Sequence, residues 1–258
     1  MWVLFANGGR TNPHPSISVA TSGQHKILGW GLRHHNIVPI YSFIFMKRML
    51  IRQFVQCVDW ATPRNICFFV YGRFTTKDYR KINGLLHKMA RTKRIPPLKK
   101  LPCYLMTVFA RHNSAKKNIG SFKFLHDSRL RDCLARYFYD RQYEGLIDLK
   151  LDKNADAVCR DIFFELDNGN EDRKQLIEKI KYNYAGRGKF RVIFWMTTDY
   201  FTHWKTKENI KNLEQNRLKV LFEVVKKAIP HKPNRILAAS YHQYLEDGEL
   251  YSLKDIKY

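Results

Sequence analysis

Residues 161–169, DIFFELDNG, constrain the fold of this chain more than any other stretch. They predict a short apolar strand that ends at Asn168-Gly169, and a helical pattern follows at once. Because side chains alternate along a strand, Glu165 and Asp167 share one face. Two carboxylates at the carboxyl end of a buried strand, beside a helix N-terminus, suit a hard metal ion or phosphate chemistry. The alternative is a solvated strand end with ordinary surface acids.

Positive charge dominates the composition of the 258-residue chain, with 46 Lys and Arg against 23 Asp and Glu, a net charge of +23. Such an excess favours a polyanionic partner, nucleic acid before an acidic membrane surface. The excess is uneven. Residues 46–125 carry 18 Lys and Arg and two acids, whereas residues 126–258 carry 25 and 21. We therefore expect the first globular part to bind phosphates.

Several classes of protein are disfavoured. The five cysteines form no C-x-x-C pair, which indicates reduced thiols rather than a disulfide framework or a zinc ribbon. The ten histidines show no ligand spacing, so we expect no zinc site. No apolar run reaches the roughly 18 residues of a membrane span, and the start of the chain does not read as a signal peptide. We expect a cytoplasmic protein with no membrane partner.

The chain divides into four predicted segments. Residues 1–45 contain no acid and no lasting period, so we expect a weakly ordered tail. Met46 reads like an ordinary translation start, which raises the hypothesis that the tail comes from an upstream start codon. Residues 46–110 are predicted to form a DNA-binding domain, residues 111–125 a linker, and residues 126–258 an α/β domain.

Residues 46–110 predict three short helices and a basic, proline-containing hairpin. Helical spacing gives a first helix to about Trp60, Thr62-Pro63 opens a second, and Thr75 caps a third. This is the pattern of a winged helix-turn-helix, whose third helix enters the major groove of double-stranded DNA and whose wing contacts the backbone. The predicted DNA-binding residues lie on the third helix and the hairpin: Lys77, Arg80, Lys81, Asn83, His87, Lys88, Arg91, Lys93, Arg94, Lys99 and Lys100.

The remainder of the chain predicts the order α-β-β-β-α-β-α-β, a mixed α/β layer. The helices are predicted near residues 126–143, 171–184 and 206–228. The strands are predicted near residues 146–151, 156–159, 161–167, 190–197 and 235–241.

This order, with Asp156 at the start of one strand and Glu165 on the next, resembles the PD-(D/E)xK nuclease superfamily and its restriction-endonuclease-like fold. The resemblance implies that both acids hold a divalent metal, expected to be Mg²⁺, which activates water beside the scissile phosphate. Asp167 stands where that superfamily has a lysine, so it is predicted to be a third metal ligand or to orient water. The basic role would pass to the next helix, to Arg173 or Lys174, and we predict Lys174.

The wider pattern resembles the replication-relaxation family of plasmid and mobile-element proteins over about residues 46–250. The pieces that carry the resemblance are His126-Asp127, Asn154-Ala155-Asp156-Ala157, FFELDNGN at 163–170, the helix ending in Tyr182 and Tyr184, and FRVIF at 190–194. The resemblance implies a DNA-binding protein that acts in replication control or in DNA relaxation for mobilisation, alongside other replication or relaxosome proteins. It does not establish catalysis.

Three functions are therefore open. The first is a DNA-binding accessory protein of replication or mobilisation. The second is an active Mg²⁺-dependent endonuclease that uses Asp156, Glu165, Asp167 and Lys174. The third is a transcriptional regulator whose C-terminal domain only dimerises. The pair His126-Asp127 belongs either to the site or, through Asp127, to a helix N-cap.

Overall fold

The computed structural model describes residues 40–92, 96–103, 106–119, 121–152, 155–185, 190–198, 207–231 and 233–252. Within these ranges the chain is a mixed α/β structure with seven α-helices and two sheets. The predicted tail lies outside the described residues up to position 39. Residues 40–45 correct that prediction because they are helical, and no Gly or Pro interrupts the sequence from residue 40 to residue 58.

The first part of the chain contains three helices and a small antiparallel sheet. In chain order its elements are α1 (Ile40–Val58), β1 (Trp60–Ala61), α2 (Pro63–Tyr71), α3 (Thr76–Arg91), β2 (Lys99–Cys103) and β3 (Met106–Ala110). The strands β2 and β3 form the predicted hairpin, and β1 pairs with the other side of β3. The three predicted helices and the hairpin are therefore confirmed as elements.

Local capping explains where these helices begin and end. The Thr62 side chain accepts a hydrogen bond from the Asn65 backbone, and the Asn65 side chain accepts one from the Thr62 backbone, which makes a capping box at the start of α2. Gly72 ends α2 with φ of +65°, a conformation that glycine adopts without strain. Thr75 caps α3 by accepting the Asp78 N–H at 3.0 Å.

The second part contains the predicted order of elements with one helix added. Its elements are α4 (Ser121–Asp140), β4 (Leu149–Leu151), β5 (Ala157–Cys159), β6 (Ile162–Asp167), α5 (Arg173–Lys179), β7 (Arg191–Met196), α6 (Lys207–Ala228), β8 (Ile236–Ser240) and α7 (Tyr241–Asp247). Boundaries differ from the prediction at three places. Residues 146–148 form a 3-10 helix rather than the start of a strand. The helix α4 begins inside the predicted linker, and Tyr241 starts α7 rather than ending a strand.

The five strands of this part form one sheet in the order β4-β5-β6-β7-β8. Neighbouring strands are antiparallel from β4 to β6 and parallel from β6 to β8. The register pairs Ala157 with Phe164, so Asp156, which immediately precedes β5, comes opposite Glu165. Because β6, β7 and β8 are parallel, their carboxyl ends meet at the same edge of the sheet as these acids.

Helices cover both faces of the sheet, and β6 contributes to both layers. Phe164 and Leu166 pack in the core on the side of α4 and α7, whereas Phe163 packs on the side of α5 and α6. By strand alternation Glu165 and Asp167 lie on the α5–α6 side. The core on the α4 side continues into α1 and α2. A shared core does not say which parts fold independently, so the domain boundaries at residues 110 and 126 stay predictions.

A buried polar cluster joins α2, α4 and α7 across this shared core. Asp132 of α4 is 2% exposed and accepts three hydrogen bonds. They come from Arg64 Nε at 2.8 Å, from Asn65 Nδ2 at 2.7 Å and from the Tyr241 hydroxyl at 2.7 Å. The carboxylate therefore holds three helices in one arrangement.

Candidate active site

Asp156 and Glu165 form the centre of the candidate site. Glu165 is 2% exposed on β6, and Asp156 lies just before the neighbouring strand β5. The Asp156 Oδ2 atom accepts the N–H of Leu166, the residue after Glu165, at 2.7 Å. This bond, together with the strand register, places Asp156 on the strand next to Glu165, and the charge of Asp156 acts on the Glu165 carboxylate.

A lysine and a tyrosine occupy the two oxygens of Glu165. Lys179 Nζ lies 2.9 Å from Glu165 Oε2, and the Tyr184 hydroxyl donates to Glu165 Oε1. Lys179 also lies 3.0 Å from Glu171 Oε1, so its ammonium bridges two carboxylates. Lys179 is therefore the basic residue of α5 that contacts Glu165.

A change of helix type brings Lys179 and Tyr184 to the same carboxylate. The two residues are five apart, and in an α-helix five residues turn a side chain by about 140°. Residues Ile180–Ala185 instead form a π-helical turn that continues α5. The extra residue per turn narrows the angle between the two side chains, so both reach Glu165. Apolar spacing predicts a helix here but does not reveal this widening.

His126 of α4 completes the group. Its Nε2 atom lies 3.6 Å from Asp156 Oδ2 and 3.2 Å from the Leu166 carbonyl oxygen. Its Nδ1 atom lies 3.4 Å from Asp127 Oδ1. Since α4 begins at Ser121, Asp127 lies inside the helix, and the N-cap alternative is wrong. The His126-Asp127 pair therefore lies beside Asp156.

The electrostatics of the site follow from burial and close charges. Burial raises the pKa of Glu165 to about 7, with Lys179 opposing the shift and Asp156 adding to it. Burial also raises the pKa of Asp156. Burial lowers the pKa of His126, but its hydrogen bond to Asp127 and the charge of Asp156 outweigh burial and raise that pKa overall. Near neutral pH, Glu165 is poised between its acid and carboxylate forms.

Lys179 remains a cation. Burial lowers the pKa of Lys179, but the charges of Glu165 and Glu171 outweigh burial and raise that pKa above its ordinary value. Lys179 can therefore donate hydrogen bonds and stabilise negative charge, but it is poorly suited to remove a proton.

Asp167 lies on the same face as Glu165 but is paired with an arginine. Its Oδ2 atom lies 2.8 Å from Arg217 Nε of α6, and its Oδ1 atom accepts the Gly169 N–H at 2.7 Å. Arg217 also donates to the Glu171 carbonyl oxygen at 2.5 Å. This pairing ties α6 to the loop after β6. Of the three predicted metal ligands, the structure brings Asp156 and Glu165 together and pairs Asp167 with arginine.

The remaining residues fit a hard cation with few protein ligands. Among the described residues, no cluster of three or more His, Cys, Asp or Glu side chains is arranged to hold a metal. Mg²⁺ commonly uses only one or two carboxylates and completes its shell with water and substrate phosphates. Asp156 and Glu165 meet that requirement once Glu165 gives up its proton or its contact with Lys179.

Helix phase explains why Lys174 does not reach the site. The inward side of α5 runs through Leu176 and Ile180, which are buried. Lys174 is exposed on the opposite side, whereas Lys179 adjoins the inward one. Arg173 pairs with Glu223 of α6 at 3.0 Å. The position of Lys179 beside the apolar stripe is the sequence signal that could have identified it.

The predicted DNA-binding residues of α3 form an exposed cationic face. Ile82, Leu86 and Met89 turn inward and are buried. The outward cations, none of which forms an ion pair within the described part of the chain, are Lys77, Arg80, Lys81, Lys88 and Arg91. Asn83 is half-buried on the same helix.

The other predicted DNA-binding residues divide into three groups. His87 packs edge-on against Phe109 of β3, with the ring centroids 5.4 Å apart, and Lys100 of β2 is exposed. Lys99 donates to the carbonyl oxygens of Ser114 and Lys116 at 2.9 and 2.8 Å, which braces the segment after β3. Two predicted residues lie outside the described ranges, Lys93 and Arg94.

Comparison with known proteins adds no family to this picture. No family model matches the chain, and searches of curated proteins and of solved structures gave no match. Among the helices that the structure describes, none combines the length and the apolar character needed to cross a membrane. The resemblances drawn from the motifs therefore stay proposals, and the geometry of the site carries the functional argument.

We expect Glu165→Gln to stabilise the protein at pH 8 and to have little effect at pH 4. The folded protein holds a proton on Glu165 up to about pH 7, whereas the unfolded chain releases it near pH 4.5. The free energy of unfolding therefore falls as the pH rises through this window and stays lower above it. Glutamine avoids the loss, so unfolding by urea at pH 8 should require about 1 to 3 kcal/mol more.

Glu178→Gln is the matched control, because Glu178 is exposed on the same helix. It should shift stability equally little at both pH values. A Glu165→Gln protein that is less stable than wild type at pH 8 would show that the Lys179 ion pair outweighs burial.

Proposed function

We propose that this protein is a DNA-binding protein whose five-stranded sheet carries a Mg²⁺-dependent centre for phosphodiester cleavage. The observation that carries the proposal is the contact of Lys179 with Glu165, opposite Asp156. Two acids from adjacent strands and a lysine are the parts that the resemblance to PD-(D/E)xK nucleases calls for, and Lys179 is the lysine that contacts Glu165 in place of the predicted Lys174. Supercoiled plasmid incubated with Mg²⁺ or Mn²⁺ should be nicked, and intact plasmid under both conditions would overturn the cleavage part.

The chemistry divides among these residues. Asp156 and Glu165 would hold the Mg²⁺, which supplies Lewis-acid activation of water and neutralises phosphate charge. The Lys179 ammonium lies beside Glu165, where it can orient the attacking water or donate to a phosphate oxygen. His126, which Asp127 orients through Nδ1, has its Nε2 atom on the Asp156 side and can exchange a proton there.

The architecture supports both parts of the proposal. An antiparallel trio of strands followed by two parallel strands, with helices on both faces, is the arrangement expected of a restriction-endonuclease-like domain. Three helices followed by a hairpin are the elements expected of a winged helix-turn-helix, with α3 as the recognition helix and β2–β3 as the wing.

Charge pairing supports DNA binding through α3. In the second part of the chain many cations have acidic partners, such as Arg160 with Asp148 and Lys211 with Glu246. The outward cations of α3 have no such partner among the residues described. A row of unpaired cations on one helix face suits a phosphate backbone, where binding releases counterions.

The biological role that we propose is replication control or mobilisation of a plasmid or mobile element. The support for this role is the family resemblance of the motifs at residues 126–127, 154–157 and 163–170. Other replication or relaxosome proteins would be its partners. The role is separable from cleavage, because DNA binding alone could serve it.

A second candidate is an accessory protein that binds DNA without cutting it. The contacts of Glu165 favour this alternative, because Lys179 and Tyr184 each bind one of its two carboxylate oxygens and leave neither oxygen open to a metal ion. A transcriptional regulator that does not cut DNA would be equally compatible with these contacts. Steeply salt-dependent DNA binding without nicking would favour these alternatives.

We expect the double variant Lys81→Gln/Lys88→Gln to bind duplex DNA at least tenfold more weakly at 150 mM salt. Each lost phosphate contact should lower the slope of log affinity against log salt by about 0.9, so the double variant should lose about 1.8. Fluorescence anisotropy across a salt series measures both quantities. Lys219→Gln/Lys227→Gln on α6 removes the same charge from exposed positions and should change little. Equal losses in the two variants would contradict a DNA interface on α3.

A further inference from the structure

Two arginines on α1 stand out because their buried N–H groups lack acceptors. Arg48 and Arg52 are half-buried and one helical turn apart. The Nε atom of Arg48 and the Nε and Nη1 atoms of Arg52 are shielded from solvent. Within the described residues none of these three atoms has a hydrogen-bond partner. Buried donors without acceptors are rare in folded proteins because each one costs stability.

The placement of the two charges adds to this cost. Like charges four residues apart on a helix repel each other. Burial, and then the charge of Arg48, lowers the pKa of Arg52. The free protein therefore holds two partly desolvated cations together without the acceptors that would compensate them.

Arg131 shows how the same fold treats a structural arginine. Its side chain is 1% exposed, and its guanidinium donates to the carbonyl oxygens of Val58, Trp60 and Asp127. The ring of Trp60 lies 3.9 Å below it. Each nitrogen of the Arg131 guanidinium therefore has a backbone acceptor, whereas three nitrogens of the arginine pair on α1 have none among the described residues.

The acid that follows α1 in the chain is already paired with other cations. Asp59 lies one residue beyond the end of α1, with a left-handed backbone conformation at φ of +68°. The Asp59 carboxylate lies 3.2 Å from Arg111 Nε and 2.6 Å from Lys116 Nζ. Asp59 therefore has two cations of its own, and no ion pair between described residues joins it to Arg48 or Arg52.

We propose that Arg48 and Arg52 form a phosphate-binding site on α1 that takes a backbone phosphate of the bound duplex. The guanidinium fork matches phosphate oxygens in two-point hydrogen bonds. When the two half-buried side chains turn outward, a phosphate would supply the missing acceptors and offset the repulsion between the two positive charges. The DNA source of the phosphate rests on the proposed function. The site lies outside α3 and the β2–β3 hairpin, so it adds a contact that the winged-helix pattern does not include.

The experiment compares the wild-type chain with Arg48→Met/Arg52→Met and with the control Lys219→Met. Methionine keeps the length of the side chain without its donors. Duplex DNA affinity across a salt series and the melting temperature with and without inorganic phosphate are measured for each protein. We expect the double variant to bind DNA about tenfold more weakly, with a salt slope lower by about 1.8. It should melt no lower than wild type in phosphate-free buffer and should lose the rise that phosphate causes.

The other outcomes separate the site from the proposed function. Unchanged DNA affinity and salt slope in the double variant would overturn the duplex as source, as would a wild type that binds no DNA. If phosphate still raised the melting temperature of wild type alone, the phosphate site itself would stand. A double variant that melts several degrees lower than wild type, or that keeps the full response to phosphate, would overturn the site.

Discussion

Lys179→Met is expected to lower Mg²⁺-dependent nicking of supercoiled plasmid by at least 100-fold. The variant removes the cation that lies 2.9 Å from Glu165 and would donate to the reacting groups. Loss of one preorganised donor at a reacting centre typically costs about 10²- to 10³-fold in rate. The rate is measured as conversion of supercoiled to open-circular plasmid on agarose gels, with Glu165→Gln as a second inactive variant.

Lys174→Met is the matched control for this prediction. It makes the same change on the same helix at an exposed position, so it should nick at the wild-type rate. The DNA affinity of Lys179→Met should equal that of wild type, because the lysine lies inside the site and not on α3. If Lys179→Met still nicked plasmid and Lys174→Met did not, Lys174 would be the basic residue of the site, as the sequence predicted.

Asp132→Ala is expected to destabilise the protein by about 3 to 5 kcal/mol, because it leaves the buried donors of Asn65 and Tyr241 without this acceptor and removes the ion pair of Arg64, whose side chain is 43% exposed. Arg64, Asn65 and Tyr241 all donate to this carboxylate, so the variant removes the acceptor of three hydrogen bonds at once. For a chain of this size the loss corresponds to a fall of about 10 °C in melting temperature. Calorimetry and urea unfolding measure it.

Tyr241→Phe provides the graded control. It removes one neutral donor and leaves Asp132 bound to Arg64 and Asn65, so we expect a loss of about 1 kcal/mol. DNA binding of this variant should be unchanged at temperatures where it is folded. If Asp132→Ala cost no more than Tyr241→Phe, the cluster would be a weak, solvated contact rather than the joint between α2, α4 and α7.

Helix caps, turn residues and the alternation of side chains along strands depend on only a few neighbouring residues, and they made much of the fold predictable. The ends of α2 follow from the cap at Thr62 and the left-handed Gly72, and the start of α3 follows from Thr75. The alternation along residues 162–167 correctly placed Glu165 and Asp167 on one face. These features depend on backbone conformation and on the periods of helix and strand, which a sequence states directly.

Local patterns could not predict which residues meet in the site, because its contacts join residues that are far apart in the sequence. His126 meets Asp156 across 30 positions, and Asp167 meets Arg217 across 50. The choice of Lys179 over Lys174 depended on the phase of a short helix. The same order of strands and helices is compatible with several different partners for each of these acids.

The sequence by itself therefore determined the order of elements, the basic first part and the position of two acids on neighbouring strands. The tertiary structure decided which basic group faces those acids, that Asp167 is paired with an arginine, and that two arginines on α1 lack acceptors. The physical reason is that hydrogen bonds and ion pairs depend on distances of a few ångströms, which packing sets and local periodicity does not.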